Sequence, residues 1–148
     1  MSARDKLSIE VTHQVRDTCL CLHVQRAART LARRFDDALR PVELTHGQFS
    51  LLNALNRAEP ASIGEVAALL AMDRTTLTAN LKPLERRGLV TVTIDATDKR
   101  GRRLVLTSAG HAVLRTAVPV WKRTHAAIER ALTAATPDRL RADLRALS

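Results

Sequence analysis

A chain of 148 residues, 45% of them hydrophobic, is long enough for one domain of ordinary size with its own core. A formal charge of +9 favours a polyanionic partner, and an acidic membrane surface would attract it as well as nucleic acid would. No apolar run approaches the roughly 20 residues that span a bilayer, and the opening MSARDKLSIE lacks a secretion-signal core, which excludes membrane insertion and points to the cytoplasm.

Met1 to Lys6 read as a frayed lead-in. From Leu7 to Leu39 there is no Pro or Gly, and Leu20, Val24, Ala27, Ala28, Leu31, Phe35, Ala38 and Leu39 share one helical face, so the pattern predicts one long helix ended by Pro41. Arg26, Arg29, Arg33 and Arg34 are expected in solvent or paired with Asp36 and Asp37. Within this helix lies Cys19-Leu20-Cys21-Leu22-His23. Two residues apart on a helix means about 200° of rotation, which keeps the two thiols from joining. Cys19 and His23, four apart, share a face on which an imidazole stabilises a thiolate. The plain reading makes both cysteines small packing residues, and the alternative is a thiol sensor built from Cys19, Cys21 and His23.

Thr45 with Gln48 forms a capping box and Leu44 with Phe49 a hydrophobic staple, which open a second helix with Phe49, Leu52 and Leu55 inward. Glu59-Pro60-Ala61 breaks it. Ser62 with Glu65 is another capping box, and Ala67, Leu69 and Leu70 continue the apolar pattern. After a turn, Asp73 can cap the next helix through Thr75 or Thr76, with Met72 and Leu77 as its staple. At about 100° per residue, Leu77, Leu81 and Leu84 lie on one side and Thr75, Thr78, Ala79, Lys82 and Arg86 on the other. Pro83 should kink this helix and Gly88 should stop it.

Val90, Val92 and Ile94 then alternate with threonines, and Leu104 and Leu106 flank Val105, as in two half-buried strands. Between them stands ATDKRGRR, in which four of the five residues from Lys99 to Arg103 are cationic. A solvated hairpin has no need of such one-signed charge, whereas a DNA-contacting tip does. Helix, turn, helix and basic hairpin make a winged helix-turn-helix. Its second helix would enter a major groove through Thr75, Thr76, Thr78, Ala79, Lys82 and Arg86, and its tip would reach the neighbouring backbone or minor groove through Lys99, Arg100 and Arg102.

Thr107 caps a helix carrying Val113, Leu114, Ala117, Val118, Trp121, Ile128 and Leu132, bent at Pro119. Thr136 and Pro137 start a short last helix with Leu140, Leu144 and Leu147. The end helices present more apolar surface than a small winged unit covers, so a second copy is expected against them. A two-fold homodimer would match a palindromic double-stranded DNA operator.

The run MDRTTLTANLKPLERRGLV followed by DATDKRGRRLVLTSAG resembles the MarR family of bacterial transcription regulators, and the resemblance extends over nearly the whole chain. It implies that Asp98 holds the wing through an ion pair and that Arg100 or a neighbour enters the minor groove. It also implies an effector pocket between dimerisation helices and winged unit, here drawing on Phe35, Phe49 and Trp121. Leu20-Cys21, with Ala27 to Arg29 in step, is similar to the reactive-cysteine site of the family's organic-hydroperoxide branch. That branch holds its thiolate with tyrosines, and this chain has none.

The expected fold is mainly α with a small β-hairpin wing: one domain over 1–148, with a dimerisation region at 7–40 and 111–148 and a winged helix-turn-helix at 45–110. The expected function is a homodimeric repressor released by a small-molecule effector, with thiol sensing or low-specificity architectural binding as alternatives. Phosphate-binding Gly loops, HExxH and nucleophile elbows are missing, and the carboxylates are scattered, so no enzyme, cofactor or metal is expected.

Overall fold

The computed structural model describes residues 6–148, so all but Lys6 of the expected lead-in lies outside the described residues. Ser8 caps α1 (Ile9–Thr18), and α2 follows as Leu20–Leu39. The single long helix expected here is broken at Cys19, whose ψ of 110° is extended. Beside the break the Thr18 hydroxyl donates to the Gln14 carbonyl at 2.7 Å, and the His23 ring Nδ1 lies 2.8 Å from the Cys19 carbonyl oxygen. No residue of α1 is buried, so packing does not oppose the break.

The chain falls into two compact units that divide inside α2, one ending at Arg34 and one running Phe35–Ser148. The physical reason is that the described residues of the first unit include none that is buried, and its apolar positions Leu7, Ile9, Val15, Leu20 and Val24 are exposed.

The second unit holds the core. A 3-10 turn (Arg40–Val42) leads to α3 (His46–Ala54), opened by the reciprocal Thr45–Gln48 box. Asp36 accepts from both the backbone and the ring of His46 at 2.7 and 2.8 Å, and Asp37 pairs with Arg40. These two acids therefore bind residues that follow them, not the arginines of α2. Next come β1 (Ala61–Ser62), α4 (Ile63–Leu69), α5 (Arg74–Arg86), β2 (Val90–Ile94), β3 (Arg102–Leu106), α6 (Ser108–Arg130) and α7 (Pro137–Ala146). Leu39, Leu51, Leu52, Val66, Leu77, Leu84 and Leu104 are fully buried and tie these elements together.

The sheet is antiparallel with order β1-β3-β2, in register Ala61 with Leu104 and Val92 with Leu104. Strand β1 adds a third strand to the expected hairpin. Burial alternates only at the base of the hairpin: Val90 is buried, whereas Ile94 is 63% exposed. Leu69, counted with the apolar pattern of α4, is 68% exposed. Thr107 caps α6, and Thr136 with Pro137 opens α7, as their sequence predicts, while Leu132 lies past the end of α6. Among the described residues no helix is long and apolar enough to cross a membrane.

Candidate nucleic-acid interface

The geometry of α5 is set at both ends by local chemistry. At its start the Asp73 carboxylate accepts from the Thr76 backbone and hydroxyl, each at 2.8 Å. Those bonds, the backbone one foremost, hold the Asp73 carboxyl below its ordinary range. At its end Gly88 takes φ of 71°; its N–H reaches the Glu85 carbonyl and the Leu89 N–H reaches Leu84, both at 2.9 Å. This is a Schellman closure, with buried Leu84 and Leu89 as its apolar pair. The Thr107 hydroxyl donates to the Gly88 carbonyl at 2.6 Å, and a Cβ on Gly110 would come within 2.2 Å of the Leu89 oxygen. The Thr-x-x-Gly after the wing therefore seats α6 against the end of α5.

Leu77, Leu81 and Leu84 turn α5 inward. Thr75, Thr76, Thr78, Ala79, Lys82 and Arg86 are all exposed. Two of the hydroxyls already have partners: Thr76 is committed to Asp73, and Thr78 donates to the Arg74 carbonyl at 2.8 Å. The helix runs unbroken through Pro83 to Arg86. Pro83 has no N–H, so the Ala79 carbonyl on the exposed face loses its intrahelical donor.

In the wing Asp98 and Asp95 take different roles. Asp98, expected to form an ion pair, accepts from the Arg100 backbone at 3.0 Å, and its carbonyl accepts from Gly101 at 2.9 Å. It shapes the tip as a turn residue, because its side chain lies nearest the backbone two residues on. The ion pair belongs to Asp95, whose Oδ2 is 2.9 Å from Arg103 Nε across the hairpin. The Thr97 backbone and hydroxyl, then Arg103, hold the Asp95 carboxyl below its usual range. Arg103 Nη1 also lies 4.0 Å from Glu65, and Arg57 lies 3.8 Å from the same carboxylate, which links the wing to the capping box of α4. Sequence reading passed over Asp95 and Arg103; their signal was the i, i+8 placement across a hairpin. Lys99, Arg100 and Arg102 are exposed, and Arg102 donates back to the Lys99 and Gly101 carbonyls at 3.3 Å. The arrangement can offer cations to a polyanion and hydroxyl, methyl and carbonyl groups to base edges.

A separate cavity of about 450 Å³ opens between α3, the end of α4 and α6. Phe49, Ser50 and Asn53 line it from α3, Leu69 and the C-cap Leu70 from the end of α4, and Val118 and Trp121 from α6. Phe49 and Trp121 are near parallel, at 18° with centroids 6.3 Å apart, and His125 stacks on Trp121 at 4.7 Å. Phe35, grouped with these aromatics from sequence, packs against the core and does not line the cavity. Of the thiol constellation, Cys19 is half-buried and Cys21 exposed, and His23 addresses the Cys19 carbonyl instead of its sulfur. Gln25 Nε2 lies 3.3 Å from the Cys21 sulfur.

A family model described as the MarR family matches residues 42–101. The HTH-type transcriptional regulator TtmR of Methylorubrum extorquens is 35% identical over 97 residues, covering 66% of this chain and 50% of TtmR, so the chain spans half the length of that relative. The transcriptional regulator MosR of M. tuberculosis, solved in complex with DNA, superposes with a TM-score of 0.80 at 39% identity, covering 88% of this chain and 93% of MosR. BpsR of Bordetella bronchiseptica, whose DNA binding is regulated by 6-hydroxynicotinic acid, superposes at 0.78 with 25% identity, covering 86% of this chain and 91% of BpsR. With the helix-turn-helix, the three-stranded wing and these matches together, the chain belongs to the MarR family of winged helix-turn-helix transcriptional regulators.

Proposed function

We propose that this protein is a homodimeric, sequence-specific DNA-binding repressor whose hold on a palindromic operator is released by a small molecule. The observation that carries the reading is the exposed polar and basic face of α5, with Thr75, Ala79, Lys82 and Arg86, in the same unit as a wing tip carrying Lys99, Arg100 and Arg102. In this reading residues 45–110 read DNA and residues 7–40 and 111–148 dimerise. Support for the dimer is the apolar surface left in water: Leu7, Val15 and Leu20 in the first unit, and Leu147 at 63% exposure in the second. Repression follows from bulk, since a dimer seated on a promoter excludes polymerase.

Support for an effector is the cavity beside α4. Leu69 and Leu70 end that helix, and Ala71 and Met72 lead directly to the Asp73 cap of α5. A molecule pressing on the two leucines would shift the turn that aims the reading helix. The test is selection of duplexes from a random pool, followed by affinity measurement across salt. The reading expects a palindromic site and a steep fall of affinity with salt, weakened by removal of Arg100 and Arg102 together. An unselective pool, the mark of an architectural binder, or unchanged affinity in the double variant, would defeat it.

A second reading, thiol sensing, is favoured by the break at Cys19. The extended ψ takes Cys19 off the helical path, so the rotation that would hold the two thiols apart in a continuous helix no longer applies. Operator affinity of wild type, Cys19→Ser and Cys21→Ser under hydroperoxide separates the readings. Loss in wild type alone supports the sensor, and insensitivity of wild type ends it.

A further inference from the structure

Arg74 is the first residue of α5, yet its guanidinium lies over Gly64 in the first turn of α4: a Cβ on Gly64 would stand 3.1 Å from its Nη2 and 4.0 Å from its Cζ. The bare Cα of the glycine leaves the seat in which the planar group rests. Arg74 remains exposed, and among the described residues its side chain forms no ion pair or hydrogen bond, its carbonyl alone accepting from Thr78. The two acids beside it are committed elsewhere. Asp73 accepts from the Thr76 backbone and hydroxyl, and Glu65 accepts from the Ser62 N–H at 2.9 Å and faces Arg57 and Arg103. Arg74 is therefore a cation seated by shape whose charge is unanswered within the chain.

We propose that Arg74 contacts a DNA phosphate at the edge of the groove that α5 enters, and that Gly64 is the positioning residue that seats it there. The inference rests on the reading of DNA through α5 and adds a contact outside the face named for it. In a helix-turn-helix the second helix lies in the major groove while the first crosses the sugar–phosphate backbone. A guanidinium that starts on the second helix and lies over the first turn of the first stands at that edge, beside phosphates and not among base edges. Its fork of N–H donors matches phosphate oxygens, and such a contact positions the duplex without selecting its sequence. Seating matters because a loose arginine gives up rotamer freedom on binding, part of which the glycine seat removes beforehand.

The experiment is fluorescence anisotropy of the full-length protein with a duplex recovered by the selection and with a scrambled duplex, across roughly 50 to 200 mM salt. Arg74→Ala should weaken both duplexes by a similar factor, roughly ten-fold. It should also make the slope of log affinity against log salt shallower by about 0.9 for each chain bound. Gly64→Ala, whose methyl displaces only the far end of a flexible side chain, should weaken both duplexes with a thermal midpoint at or above that of wild type, since alanine favours a helix over glycine. Added to Arg74→Ala, it should cause no further loss. Wild-type affinity and slope in Arg74→Ala would overturn the contact, and a loss confined to the selected duplex would replace it with base reading. Gly64→Ala that binds as wild type does, or that weakens binding equally in the Arg74→Ala background, would overturn the seat. A wild type that binds neither duplex would defeat the DNA reading itself, and the contact with it.

Discussion

Ala71 sits where a glycine would cost least. Its φ is 49°, and the Ala71 and Met72 N–H groups close α4 onto the Ala68 and Ala67 carbonyls at 3.2 and 2.9 Å. A side chain in this left-handed region carries strain of about 1 kcal/mol or more. Ala71→Gly should therefore raise the thermal midpoint by roughly 2–4 °C, read by calorimetry; an unchanged or lower midpoint would show the turn to be relaxed. Gly110 is the opposite case, because any side chain would strike the Leu89 carbonyl and Leu106. Gly110→Ala should cost about 1–3 kcal/mol in denaturant unfolding. At this scale the sequence was legible where chemistry is local: the Thr45, Ser62, Asp73, Thr107 and Thr136 caps all stand where their neighbours imply. It was not legible for Asp95, Arg103 and Asp98. An ion pair across a hairpin depends on register, and a run of cations hides which one is paired.

Among the elements, the wing and the reading helix share a dependence on carboxylates. Asp73, Asp95 and Glu65 all titrate below their ordinary values of 3.8, 3.8 and 4.5; backbone hydrogen bonds from Thr76, Thr97 and Ser62 respectively are the leading cause. Since their folded values are depressed, their contribution to stability is fully present above the ordinary values and is lost as the pH falls through the folded ones. Amide exchange at Thr76 and Thr97 should thus hold from neutral pH to about pH 4 and rise faster than intrinsic exchange below it. Protection that survives full protonation would detach these caps from the stability of the elements. The helices and the hairpin could be read from periodicity, but the break at Cys19 and the strand β1 could not. Neither Cys19 nor its neighbours are helix breakers by type, while β1 is two residues recruited by the edge of β3. Leu69 and Ile94 fit their patterns yet face solvent, because a period assigns a face without saying what covers it.

For the whole molecule, the apolar residues left exposed toward both ends and the basic face of α5 motivate the proposal that two copies assemble and present two α5 helices to one duplex. Successive major-groove faces lie roughly 34 Å apart, so the pair must hold a fixed spacing. Sedimentation of the full-length protein with a duplex selected by it tests this most directly, in wild type and in the Lys82→Ala, Arg100→Ala double variant. The account predicts two chains per duplex for wild type and a free dimer that no longer retains the duplex for the variant. A single chain per duplex, or a variant that binds as wild type does, would contradict it.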